Sequence, residues 1–129
     1  MKPETAAFLA KARAFLAKAP SMLESGWSDE AGRAAYYAGF HAAQALIFEN
    51  IGELSKTHSG VQAVFARLVK DDPRFEEELR RFLGRAYAFK TIADYDTGPL
   101  SQVTTEQAAD AIAAAGRFVD SIAAKIEEE

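Results

Sequence analysis

The sequence predicts an all-α protein, a helical bundle of four to five helices forming one domain over residues 1–129. Three observations carry that expectation. Apolar residues recur at steps of three and four along most of the chain, the spacing that gathers them on one face of an α-helix. Alanine is abundant and proline is limited to 4 residues, and both tilt the balance towards helix. No segment alternates with the two-residue period of a strand, and no repeat or low-complexity linker divides the chain.

The first helix is expected from about Pro3, where Phe8, Ala12, Phe15, Ala19 and Met22 fall on one stripe with Leu9, Leu16 and Leu23 beside them. Pro20 interrupts the stripe without ending its register, which reads as a kink or a stop, the kink preferred. Gly26 closes the segment and Ser28 is the expected N-cap of the second helix, about Asp29 to Asn50, with Gly52 as its stop. That helix is apolar nearly all round, so it is expected at the centre of the bundle, with a second subunit as a further source of cover. After a polar loop, Ser59 and Gln62 form a capping-box pattern for a third helix to about Lys70. Asp72-Pro73 reads as the start of a fourth, with Phe75, Leu79, Phe82, Ala86, Phe89 and Ala93 on its apolar face. It should end near Asp94, before the breaker Asp96-Thr97-Gly98-Pro99. Thr104 and Gln107 form another capping box, opening a last helix with Ile112, Ala115, Val119, Ile122 and Ile126, and Glu127 to Glu129 are expected to fray.

With 49% hydrophobic and 26% charged residues, the chain has the composition of a globular protein. A formal net charge of −4 argues against a broad phosphate-gripping surface and leaves room for a local basic cleft. There is no cysteine, so disulfides, thiol nucleophiles and thiolate metal sites are excluded. The first ten residues do not resemble a signal peptide and no window is apolar enough to cross a bilayer, so the expected address is the cytoplasm, away from any membrane. Two histidines without clustered carboxylates make a poor metal site; neither a metal nor a cofactor is expected.

Two polar clusters stand out. Arg33, Tyr37 and His41 step by four along the second helix, drifting only ~80° around it, with Gln44 on the same broad face. They read either as the wetted edge of a buried helix or as the wall of an anion-binding cleft. His58, in Thr57-His58-Ser59-Gly60, lies where backbone N–H groups at a helix start attract anions, and equally in an ordinary capping loop. The second cluster is Lys90-Thr91-Ile92-Ala93-Asp94-Tyr95-Asp96, where Lys90 and Asp94 are spaced for an ion pair. A solvated helix end is the alternative. No phosphate loop, nucleophile elbow or H-E-x-x-H motif is present.

Together these segments resemble the HEPN family (higher eukaryotes and prokaryotes nucleotide-binding). Ala34 to Leu46 is similar to that family's RAYYAxFHAAxAL helix, Lys56-Thr57-His58-Ser59-Gly60 to its K-x-HSG turn, and Ala93-Asp94-Tyr95-Asp96 to its ADYD helix end. The likeness covers about residues 8 to 125. It implies an antiparallel up-and-down bundle, commonly a homodimer with the polar motifs at a cleft near the dimer axis. Many members pair with a nucleotidyltransferase in toxin–antitoxin or defence systems; others are metal-independent ribonucleases that use an arginine and, four to six residues on, a histidine. The resemblance marks Arg33, Tyr37, His41, His58, Lys90, Asp94 and Tyr95 as candidate nucleotide- or RNA-phosphate-binding residues, with His41, Lys90 and Tyr95 as candidates for catalysis. This chain departs from the ribonuclease pattern: Lys90 stands where arginine is usual, no histidine follows His58, and Ala34 holds another position where arginine is common. A lysine lacks the bidentate fork, so a degenerate site is expected, with a ribonuclease toxin as the alternative.

Overall fold

The computed structural model describes residues 1–98 and 102–129, and among these the regular structure is entirely helical. Its elements are α1 (Pro3–Glu24), α2 (Ser28–Ile51), α3 (His58–Val69), α4 (Glu77–Arg80), α5 (Phe82–Tyr95) and α6 (Thr105–Glu128). The expected four to five helices thus become five of ordinary length and a single extra turn. Pro99 of the expected breaker lies outside the described residues.

α1 runs unbroken through Pro20 to Glu24, so the alternative of a stop at the proline is discarded. The chain then turns at Gly26, whose φ of 81° suits a residue without a side chain. α1 and α2 lie antiparallel: the Lys2 backbone N–H and the Thr5 hydroxyl both donate to Glu49, at 2.9 and 2.8 Å. Ser28 is not the cap expected of it. It is the first helical residue, no side chain caps the start of α2, and the neighbouring Asp29 is used elsewhere. The Asp29 carboxylate accepts the Val103 N–H at 2.8 Å, tying the approach to α6 onto the head of α2. Gly52, with φ 83°, ends α2 and donates its N–H to the Phe48 carbonyl.

α2 is the central helix. α1, α5, α6 and α3 all pack on it, so its nearly all-round burial is met within one chain. Its small residues are what allow such close approach: a methyl group at Gly39 would land on the Phe82 ring of α5. The Arg33–Asp94 ion pair and the Gly39–Phe82 contact place α5 antiparallel to α2, while the Asp29–Val103 and Asn50–Glu129 contacts at its two ends run α6 parallel to α2 and so antiparallel to α1. The bundle's aromatic centre is Phe118, fully buried, with Phe65 of α3 and Phe82 of α5 at ring distances of 5.0 and 4.9 Å.

Two expectations about the middle of the chain need correction. α3 is capped by Thr57, whose hydroxyl accepts the Gly60 N–H at 2.9 Å, and not by a Ser59–Gln62 box. A helix does not start at Asp72-Pro73 either. The Asp72 carboxylate accepts the Arg74 N–H through one oxygen and the Lys125 ammonium through the other, at 2.9 Å each, and its carbonyl accepts the Phe75 N–H. That makes a turn which drives Phe75 into the core against Phe65. Helix resumes only at α4 and, past Arg81, as α5. The Thr104–Gln107 capping box is formed in both directions, at 3.0 Å each. The end of α6 does not fray at Glu127: it stays helical to Glu128, which pairs with Arg74, while Glu129 accepts from Asn50.

Candidate functional site

The loop before α3 is shaped by Gly60. A side chain there would collide with those of Ser55 and Thr57, so the tight cap that aims His58 inward depends on glycine at that position. The His58 ring packs among Phe40, Tyr87 and Tyr36, with centroids 4.7, 5.4 and 5.6 Å away. Its Nδ1 lies 2.6 Å from the hydroxyl of Tyr36, a residue with no exposed surface. Burial pushes the Tyr36 phenol above its ordinary value, against a smaller opposing effect of the Gln62 amide. The phenol keeps its proton; where it donates that proton to Nδ1, a neutral His58 carries its own on Nε2. The ring lines an open hollow with Thr57, Ser59, Gln62 and Tyr87.

Beside it stands an ion-pair network. The Lys90 ammonium and the Arg33 guanidinium each hold one oxygen of Asp94, both at 2.7 Å. Two cations on one carboxylate leave the group with net positive charge. Lys90 is only 9% exposed, and its ammonium lies 5.7 Å from the Tyr87 ring and 5.9 Å from the Tyr95 ring. Arg33 lies over Tyr37 at 4.8 Å. The hydrogen bond to Asp94 raises Lys90 above its ordinary value, and that bond, with Arg33, holds Asp94 below its own. Lys90 therefore stays charged, and two of its three N–H donors remain for other acceptors.

The structure therefore brings together Arg33, Tyr37, His58, Lys90, Asp94 and Tyr95 from α2, α3 and α5. His41 faces a different neighbour. Its ring stacks on Phe15 of α1 at 5.6 Å and its Nδ1 lies 2.7 Å from Gln44 Oε1, with Tyr37 between it and the Lys90 group. Only 8% of it is exposed. Tyr95, by contrast, is 74% exposed. Sequence reading missed Tyr36 and Tyr87 as site residues. The signal for Tyr87 was its place one turn before Lys90, and for Tyr36 its place one residue before Tyr37. Among the described residues no three histidine or acidic side chains come together to hold a metal ion.

Both histidines are held below the ordinary value of 6.5, first by burial; for His58 the nearby Lys90 charge adds to the effect, for His41 the charge of Lys11. A depressed histidine favours the fold while neutral. Its contribution is full above the unfolded value near 6.5 and is lost as the pH falls through the folded value. Unfolding midpoints should therefore drop as the pH falls below about 6.5, before carboxylates such as Asp94 and Asp72, themselves held low, titrate. Substituting both, His41→Gln with His58→Gln, should flatten that window; an equally steep profile in the double variant would refute the assignment.

The family model described as HEPN domain matches residues 5–126 of the chain. A protein of Methanocaldococcus jannaschii named "Putative toxin MJ0605" is 31% identical over 129 residues, covering 99% of this chain and 92% of that relative.

Proposed function

This chain belongs to the HEPN family, and from that premise we propose that it is a toxin-class protein whose α2–α3–α5 cleft binds the phosphate of a nucleotide or of RNA. The observation that carries this reading is the buried Lys90, fixed by Asp94 beside the aromatic-lined hollow of His58 and Tyr87. A cation held in place supplies the charge-assisted hydrogen bond a phosphate needs, and the His58 ring offers a second polar contact in the hollow beside it. Tyr87 and Tyr95 give flat faces on which a base can stack. In this reading the protein works as a homodimer in the cytoplasm and is held in check by a nucleotidyltransferase, with the exposed Tyr95 at the surface either partner would meet. Calorimetry with mononucleotides and co-purification with the nucleotidyltransferase encoded nearest to it test the proposal. Saturable nucleotide binding is expected; no heat with any nucleotide and no retained partner would remove its basis.

A second reading, a metal-independent ribonuclease, is favoured by one detail. Tyr36 holds His58 through Nδ1, so Nε2 is the ring nitrogen left for proton exchange with a ribose or leaving oxygen. If RNA is cleaved in the presence of a chelator, His58→Gln should abolish cleavage and His41→Gln should leave most of it. The opposite ranking would move the chemistry to His41.

A further inference from the structure

α5 and α6 run antiparallel but scarcely touch, and the seam between them opens into a hollow of about 290 Å³. We propose that this hollow binds a small apolar amino acid in its zwitterionic form, with the side chain held between Phe82 and Phe89. The proposal is independent of the phosphate cleft, which α5 forms with α2 and α3 and which does not share these residues.

Three observations carry it. The first is shape. Phe82 and Phe89 are seven residues apart on one face of α5, about 10 Å along its axis at 1.5 Å per residue. Ala86 lies between them, and Ala111 and Ala114 of α6 stand opposite. Alanine at all three positions leaves a slot where a leucine would have closed the seam. At one end the Glu78–Arg117 ion pair, at 2.6 Å, joins the two helices. The hollow matches the low end of the roughly 300–1,000 Å³ typical of ligand sites, and its walls are mainly apolar with a few polar groups at the rim.

The second is charge. Arg85 of α5 and Asp110 of α6 both line the hollow and both are exposed. Neither makes an ion pair among the described residues, not even with the other. Opposite walls thus carry opposite charges too far apart to satisfy each other. A zwitterion answers both, its carboxylate towards Arg85 and its ammonium towards Asp110. A ligand with one charge alone is attracted by one wall and repelled by the other. Arg85 also borders the hollow of Arg80 and Arg81, but only the seam adds a carboxylate to meet an amine.

The third is a spare donor. Gln107 lines the hollow, and its Oε1 is engaged by the Thr104 N–H at 3.0 Å. The capping box therefore fixes this side chain while its NH2 makes no hydrogen bond among the described residues, leaving two donors for a carboxylate.

The experiment titrates the full chain with L-phenylalanine, with 3-phenylpropanoate, with 2-phenylethylamine and with N-acetyl-L-phenylalaninamide, followed by calorimetry. L-Phenylalanine should bind saturably, and the uncharged amide at least about 10-fold more weakly. Arg85→Gln should make L-phenylalanine bind no better than 2-phenylethylamine, and Asp110→Asn no better than 3-phenylpropanoate. Ala114→Leu fills the slot and should abolish binding while the thermal midpoint holds; Ala113→Leu, exposed and outside the slot, should bind as wild type does. Lys90→Met should also bind as wild type does, which separates this site from the phosphate cleft. No saturable binding of L-phenylalanine, an amide that binds equally well, or undiminished binding in Ala114→Leu would each overturn the proposal.

Discussion

Replacing Phe118 by alanine is expected to lower the free energy of unfolding by about 3–5 kcal/mol, the usual cost of emptying a buried phenylalanine site. Phe118 has no exposed surface and lies between the rings of Phe65 and Phe82, so its removal takes contacts from α3, α5 and α6 at once. Three helices meeting at one ring leave little room to collapse around a cavity, which places the effect towards the upper part of the range. Against a domain's total stability of roughly 5–15 kcal/mol, the variant should unfold at a markedly lower urea concentration or fail to accumulate. The exposed Trp27 provides the comparison: Trp27→Ala should fall within about 0.5 kcal/mol of wild type. Equal urea midpoints for the two variants would mean that the packing centre lies elsewhere.

Lys90→Met should leave the fold intact and weaken nucleotide binding by roughly 10- to 100-fold, the loss expected when a hydrogen bond to a charged group worth ~1.5–3 kcal/mol is removed. Methionine keeps the length and apolar character of the lysine stem against Tyr87 and Tyr95, so packing is largely preserved. Asp94 does not lose its counter-ion, because Arg33 still holds it at 2.7 Å. Lys90→Arg is the complementary variant: it retains the charge and should recover much of the affinity, separating the cation from its shape. Unchanged affinity in Lys90→Met, measured by calorimetry under the same salt, would remove Lys90 from the site.

Helix ends were legible where one short motif decides them. Gly26 and Gly52 sit at positive φ as their places after apolar runs suggest, and the Thr104–Gln107 box is built from side chains three residues apart. Asp72-Pro73 was misread because an aspartate before a proline serves a helix start or a turn equally well. What selects the turn is Lys125, on the far side of the sequence. Within the site the same distinction holds. The Lys90–Asp94 pair follows from a spacing of four, but nothing local tells that Arg33 completes it from α2. The periodicity of α2 rightly put Arg33, Tyr37 and His41 along one edge, yet could not say that Phe15 of α1 covers the far end of it. Tyr36 was passed over, since the histidine that uses its hydroxyl arrives only after the intervening loop has folded back.

The enclosure of α2 by its own chain has a consequence for association. A protomer that completes its interior alone has no need of a second copy in order to fold, so a native monomer can exist apart from any assembly. The thermal midpoint should fall on dilution only until any oligomer has dissociated and then hold at a constant value for the native monomer; a chain found unfolded at that dilution would show that folding needs a second copy. Subunits of this kind can exchange one companion for another while remaining native.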